Sequence, residues 1–332
     1  MAPATDWRKP WHQRPHVVLL GAGASKQAFP HGDKNGRVVP LMNDLVEVCA
    51  LQKMLDAAGV EWGPDAGGFE AIYSRLFADK AMCSLREDVE STVFDYFAAM
   101  ELPEEPTLYD HLVLALRRKD MIATFNWDPF LVQALARNAG RATPPQVAFL
   151  HGNVAVGSCS NHDPLSQGTV GTFCRQCGKR FQGSPILFPI EQKGYNDTPF
   201  LKDSWRRLKV FLKYAYIWTV FGYSAPVSDV EAVQLLKEGW GDSSKRYWEE
   251  IEIIDTKEHA TLHSTWDPFI CQGHFKVWRT FNESLIARFP RRSSEALHAS
   301  QIEGQWFDDE PISGGWGELD LQLRKLTAIE ES

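Results

Sequence analysis

Three short apolar runs, each ending abruptly in small or polar residues, constrain this chain most tightly. His16-Val17-Val18-Leu19-Leu20 leads into Gly21-Ala22-Gly23-Ala24-Ser25, Met121-Ile122-Ala123 into Thr124-Phe125-Asn126-Trp127-Asp128, and Val147-Ala148-Phe149-Leu150 into His151-Gly152. Such a run reads as a strand buried on both faces, as in a parallel sheet covered by helices. Two later segments repeat the pattern: Tyr216-Ile217-Trp218-Thr219-Val220-Phe221 before Gly222-Tyr223-Ser224, and Ile251-Glu252-Ile253-Ile254 before Asp255. At least five strands separated by helical patterns predict an α/β fold built on a doubly wound parallel sheet. Sheets of this kind bind ligands outside the carboxyl ends of their strands, which makes the residues that close each run the candidate site. The glycines at Gly21 and Gly23 permit a tight turn and a close approach by a phosphate-bearing ligand. The turn departs from the dinucleotide fingerprint G-x-G-x-x-G, because Lys26 occupies the third glycine position.

The first two motifs lie nearly 100 residues apart, more than one crossover requires. Apolar residues at helical spacing predict helices over 41–58, 69–77, 89–100 and 108–117, so a helical subdomain is expected over about 41–118. Cys49 and Cys83 read as packing residues within it. The loop 29–40, with Gly32, Asp33, Asn35 and Gly36, is expected to be flexible and able to fold over a ligand. Residues 301–332 read as a C-terminal tail with a helix over 319–326 that could serve as a docking segment.

With 332 residues, 44% of them hydrophobic, the chain can bury a substantial core. Its formal net charge of −8 argues against a broad nucleic-acid-binding face, and the short cluster Arg175, Lys179 and Arg180 reads as a solvated surface. No apolar stretch approaches the roughly 20 residues that span a bilayer, and the start lacks a signal-type apolar region, so a cytoplasmic protein without membrane contact is expected. Six cysteines are too few for a disulfide framework in a chain this long. Four residues stand in a different pattern: Cys159-Ser160-Asn161-His162 and, after eleven residues, Cys174-Arg175-Gln176-Cys177. Paired C-x-x-H and C-x-x-C knuckles offer Cys159, His162, Cys174 and Cys177 to one tetrahedral Zn²⁺, and four protein ligands leave no open position for catalysis. A zinc-binding insertion is therefore expected over about 156–184.

The GAGAS turn, the TFNWD segment and the His-Gly pair, in this order, resemble the sirtuin family, whose corresponding segments read GAG-[IA]-S, TQN-[IVW]-D and HG. The resemblance implies a Rossmann-like core over 1–300 that uses NAD as a substrate and not as a hydride carrier. It implies that Gly21, Ala22, Gly23 and Ser25 cradle the pyrophosphate, that Gly222 and Ser224 approach the adenosine side, and that Asp255 bonds ribose hydroxyls. Asp128 would recognise the nicotinamide carboxamide. Asp229 could share this rim but reads better as a helix cap or dipole partner. Sirtuins commonly insert a small zinc module after the His-Gly strand, usually with four cysteines; here His162 replaces one.

Breaking the nicotinamide–ribose bond releases a neutral molecule and develops charge on an oxocarbenium-like ribose. Asn126 is suited to position a water or the ribose hydroxyls, because its amide donates and accepts without adding charge. His151 titrates near working pH and can take the proton. Protein-deacylating members carry a segment of the type SGIPDFR after the first turn, whereas this chain reads KQAFPHGD from Lys26, and Phe125 replaces the usual Gln. The segments PLMNDL, PTLYDHL and ATFNWD look like the divergent sirtuin-like domains of bacterial anti-phage defence systems. That likeness implies an NAD glycohydrolase, releasing nicotinamide and ADP-ribose and gated by homo-oligomerisation, a HerA-type ATPase or an Argonaute-like subunit. The alternatives are an NAD-dependent deacylase or ADP-ribosyltransferase, or a non-catalytic module that binds NAD or ADP-ribose.

Overall fold

A computed structural model describes residues 10–63, 66–162, 165–189, 195, 198–225 and 229–331. Six strands form one parallel sheet: β1 (His16–Leu20), β2 (Met121–Thr124), β3 (Gln146–Phe149), β7 (Ile217–Phe221), β8 (Glu250–Ile254) and β9 (Phe275–Trp278). Three further strands, β4 (Val156–Cys159), β5 (Ser166–Thr169) and β6 (Gln182–Gly183), make a small antiparallel sheet in the order β5-β4-β6. The large sheet runs β3-β2-β1-β7-β8-β9, so the winding reverses between β1 and β7 and opens a crevice at their carboxyl ends. Register brings three of those ends level, since Leu20 of β1 pairs with Thr124 on one side and Phe221 on the other.

The apolar strands follow from two covered faces. Val18, Leu20 and Ile122 join one core while Val17, Leu19, Met121 and Ala123 join another, so every position of β1 and β2 is buried. The five expected strands are present. The sixth, β9, went unrecognised because it lies at the sheet edge, where its four residues are half-buried and its sequence Phe-Lys-Val-Trp is not a continuous apolar run.

Between β1 and β2 the chain is helical: Ala22–Ala28, Leu45–Val48, Gln52–Ala57, Gly68–Ala78, Cys83–Ala98 and Leu108–Ala115. The single helix expected over 41–58 is instead broken at Ala50, whose φ of 55° turns the chain out of the right-handed region. Cys49 packs in the core as expected, but Cys83 is exposed at the start of its helix, where its sulfur faces Glu87 and Arg86. The loop 29–40 is not a free flap either. The buried Asp33 carboxylate accepts the backbone N–H groups of Asn35, Arg37 and Glu101, tying the loop to itself and to the end of the helix Cys83–Ala98.

The chain ends in the helix Trp316–Glu331, longer than the turn or two expected. Leu319, Leu323 and Leu326, spaced for one helical face, enter the main core, and Trp316 donates its indole N–H to the Glu104 carbonyl. Arg291 pairs with Glu330 at the far end. No helix among the described residues is long and apolar enough to cross a membrane.

Glycine is required where the loops after β1 and β7 meet. A Cβ on Gly21 would lie 2.5 Å from the Gly222 carbonyl oxygen, and one on Gly222, where φ is 65°, would lie 2.1 Å from the Ala24 nitrogen. These glycines thus serve backbone contact across the switch point, beyond any closeness to a ligand. Gly222→Ala is expected to cost about 3 kcal/mol, combining a left-handed backbone with overpacking, measured by urea denaturation. Unchanged stability would contradict this packing.

Candidate active site

At the switch point lies a cavity of about 610 Å³, within the range of small-molecule sites. Its wall includes Gly21, Ala22 and Gly23 after β1, Asn126 and Asp128 after β2, and His151 after β3. Gly222 and Ser224 after β7 and Asp255 after β8 complete it. Five strand ends therefore bring nine of the ten candidate catalytic and cofactor-binding residues to one space. The tenth, Ser25, does not line it: the side chain is fully buried beneath, and its hydroxyl is engaged in the protein.

Hydrogen bonding fixes what Asn126 can offer. Its Nδ2 donates to the Gly21 carbonyl at 3.0 Å and to Ser25 Oγ at 3.0 Å. A backbone carbonyl only accepts, so the nitrogen must face this way and the amide cannot be flipped. What remains is Oδ1, a buried oxygen with no hydrogen-bond partner among the described residues. Asn126 thus presents an acceptor, and the expectation that its amide could also donate to a ligand does not hold. Such an unmet group costs about 1–3 kcal/mol in a folded protein unless a ligand or water meets it.

Ser25 carries this order onward. Its hydroxyl donates to Asp128 Oδ2 at 2.6 Å, so it accepts from Asn126 and from the Tyr109 hydroxyl at 2.6 Å. Burial raises Asp128 to about 6, against the opposing hydrogen bond from Ser25. Burial, with the nearby Asp128 charge, pushes the Tyr109 hydroxyl well above its ordinary range, so it stays protonated. Asn153 braces the same corner, donating to the backbone carbonyls of Asn126 and Asp128.

His151 is held from the other side. Its Nε2 lies 2.7 Å from the Tyr195 hydroxyl, which donates to Asp229 Oδ1 at 2.7 Å, while Tyr223 donates to Asp229 Oδ2 at 2.9 Å. Asp229 does precede the helix Val230–Trp240, but its carboxylate makes no cap hydrogen bond because it is turned toward the two tyrosines. Phe125 stacks on Tyr223 at 4.3 Å and packs against the His151 ring at 4.6 Å. On the opposite rim Asp255 accepts the Lys257 backbone N–H at 2.9 Å, fixing the carboxylate at the end of β8.

The Cys/His cluster assembles as the spacing predicts. One ligand atom from each of Cys159, His162, Cys174 and Cys177 lies within 4.8 Å of all the others. The sulfurs of Cys159 and Cys177 are 3.6 Å apart, and Cys174 Sγ is 3.4 Å from His162 Nε2. A tetrahedron with metal–sulfur bonds of about 2.3 Å has edges near 3.8 Å, so three thiolates and an imidazole fit Zn²⁺. The module returns across the turn that carries His151. Leu187 donates to the His151 carbonyl, Ser184 accepts the Asn153 N–H, and a Cβ on Gly152 would meet the Pro185 carbonyl oxygen at 1.7 Å.

Tyr109, Asn153, Tyr195 and Tyr223 were not singled out from sequence. Asn153 follows the His-Gly pair directly and Tyr109 lies in the quoted PTLYDHL segment, so proximity to a motif was an available signal for both. Tyr195 had none.

No family model matches this chain, and no curated protein matches it. Among solved structures it is similar to a mutant Sir2 homologue in complex with ADP-ribose, at 14% identity over 96% of each chain and a TM-score of 0.40. A Sir2 homologue in complex with NAD gives 15% identity over 96% of this chain and 92% of that one, with a TM-score of 0.38. Sir2 bound to an acetylated peptide gives 15% over 88% and 93%, with a TM-score of 0.37. Likeness this distant does not transfer those ligands to the present chain.

Two outcomes follow. A raised Asp128 means that the native state holds the proton more tightly than the unfolded chain, so this group's contribution to stability falls as pH rises from about 4 through 6. Between pH 4 and 7 the wild type should therefore lose about 2 kcal/mol relative to Asp128→Asn, read from paired denaturation curves. Parallel pH profiles would contradict the burial. For the metal, purified chain should carry one zinc by elemental analysis, and Cys174→Ser should lose it with a lower Tm. Full zinc content in that variant would remove Cys174 from the ligand set.

Proposed function

We propose that this chain binds NAD in the switch-point cavity and hydrolyses it to nicotinamide and ADP-ribose. One observation carries the reading most directly: the cavity is lined both by Asn126, whose side-chain oxygen is a buried acceptor with no partner among the described residues, and by the imidazole of His151. In the proposed step the bond between C1′ and the nicotinamide nitrogen breaks, its electron pair neutralising the pyridinium. Water supplies the new C1′–O bond, and His151 takes the proton that water loses. Asn126 Oδ1 would accept a hydrogen bond from that water or from a ribose hydroxyl, favouring the developing cation without adding a full charge. Asp128 would orient the nicotinamide carboxamide. The turns at Gly21-Ala22-Gly23 and Gly222 would lie along the pyrophosphate, and Ser224 and Asp255 along the adenosine.

Phe125 favours hydrolysis over deacylation. It stacks on Tyr223 and packs against His151, filling the position where deacylating sirtuins carry a glutamine. The resemblance of PLMNDL, PTLYDHL and ATFNWD to defence-system domains supports a further part of the proposal: the chain is an NAD-depleting effector, held in check until it assembles. Uncontrolled NAD loss would kill the host, which requires a gate: further copies of this chain, a HerA-type ATPase or an Argonaute-like subunit.

Purified chain, over a range of concentrations and with each candidate partner, should convert NAD to equimolar nicotinamide and ADP-ribose. Asn126→Ala and His151→Ala should each lower turnover at least about 100-fold. Undiminished turnover in both would overturn the site. A strict need for acylated peptide, ADP-ribose retained on protein, or tight NAD binding without cleavage would replace hydrolysis by one of the alternative readings.

A further inference from the structure

Two of the residues that hold His151, Tyr195 and Asp229, lie outside the strand-end motifs. The Tyr195 hydroxyl carries a single proton, and its oxygen lies 2.7 Å both from His151 Nε2 and from Asp229 Oδ1. An ionised carboxylate only accepts, so Tyr195 gives its proton to Asp229 and its oxygen must receive the Nε2–H of His151. The opposite polarity would turn the Tyr195 hydroxyl to Nε2 and set its oxygen lone pairs against Asp229 Oδ1 at 2.7 Å in a residue only 3% exposed. Tyr223 donates to the other carboxylate oxygen at 2.9 Å. From this order of donors we propose that Tyr195 and Asp229 are positioning residues that fix neutral His151 as its Nε2–H tautomer, leaving Nδ1 as the nitrogen that takes up a proton.

The surroundings favour that arrangement. Tyr195 is fully buried, and burial, then the charge of Asp229, drives its hydroxyl far above the ordinary tyrosine range, so it stays a donor. Tyr223 is pushed the same way by the same causes. The His151 ring stacks on Tyr195 at 16° and 5.5 Å and meets Phe125 on another side, so a ring flip must displace aromatic neighbours. Asp229 and Glu231 lie at the start of the helix after β7, with Glu231 near enough to bear on Tyr195; Asp128 lines the same cavity from β2, and Lys26 and Lys257 line it as well. A carboxylate at the end of such a relay favours the charged imidazolium over the neutral ring. The arrangement also ties the turn after β3 to the loop after β7 across the switch point.

The catalytic consequence rests on the proposed NAD hydrolysis, whereas the tautomer does not. The test uses full-length chain labelled with ¹⁵N-histidine, with His151→Asn identifying the resonances of this ring. Long-range ¹H–¹⁵N spectra of wild type should show the Nε2–H pattern. Tyr195→Phe, which keeps the ring and removes the hydroxyl, should abolish the tautomer preference and lower the ring pKa. Asp229→Asn should lower it too. With NAD, Tyr195→Phe should reduce kcat at least about tenfold with little change in KM, and move the acid limb of its pH profile down. An Nδ1–H pattern in wild type overturns the proposal whether or not NAD is cleaved, as does a tautomer and pKa unchanged by Tyr195→Phe. The expected spectra in a protein that leaves NAD intact would retire the hydrolase reading and uphold the relay.

Discussion

The commitment of one amide organises the site. Both donor positions of Asn126 are consumed inside the protein, by the Gly21 carbonyl from the turn after β1 and by Ser25 from the helix that follows. That anchoring joins the end of β2 to the end of β1, and it turns a side chain with two functions into a fixed acceptor. Ser25 then passes the same polarity to Asp128, so the three groups behave as a unit and a change at one alters the others. The glycine contacts between the turns after β1 and β7 set the spacing on which this depends, since any side chain at Gly21 or Gly222 would drive the two loops apart.

The zinc module belongs to the same construction. It begins at β4, just after the His-Gly turn, and returns over that turn through Ser184, Pro185 and Leu187. Gly152, with φ of 78°, makes room for the returning backbone, which explains a glycine after His151 without any ligand. A metal in the cluster of three cysteines and one histidine would therefore act on the site at a distance, by holding the segment that roofs the turn carrying His151.

Features written in short stretches of sequence were legible. Each strand end announced itself by an apolar run and its closing residues, and the two knuckles at Cys159 and Cys174 gave a ligand set that the folded chain brings together. Features made by residues distant in the chain were not. Nothing around Tyr195 says that it will meet His151 and Asp229, and Asp33 reads as a loop residue until Glu101 supplies its third donor. Ser25 was placed at a phosphate because its motif lies on a strand end, whereas its side chain points beneath the cavity to Asp128. The break at Ala50 escaped because periodicity records which face is apolar and is blind to one residue with positive φ.

The central claim is geometric: the acceptor oxygen of Asn126 and the imidazole of His151 address the same sugar. A crystal structure of the chain with ADP-ribose tests it most directly. The account predicts the ligand along the five strand ends, its terminal ribose hydroxyls within hydrogen-bonding distance of Asn126 Oδ1 and His151. ADP-ribose bound outside this cavity, or held in it with that ribose turned away from both side chains, would contradict it.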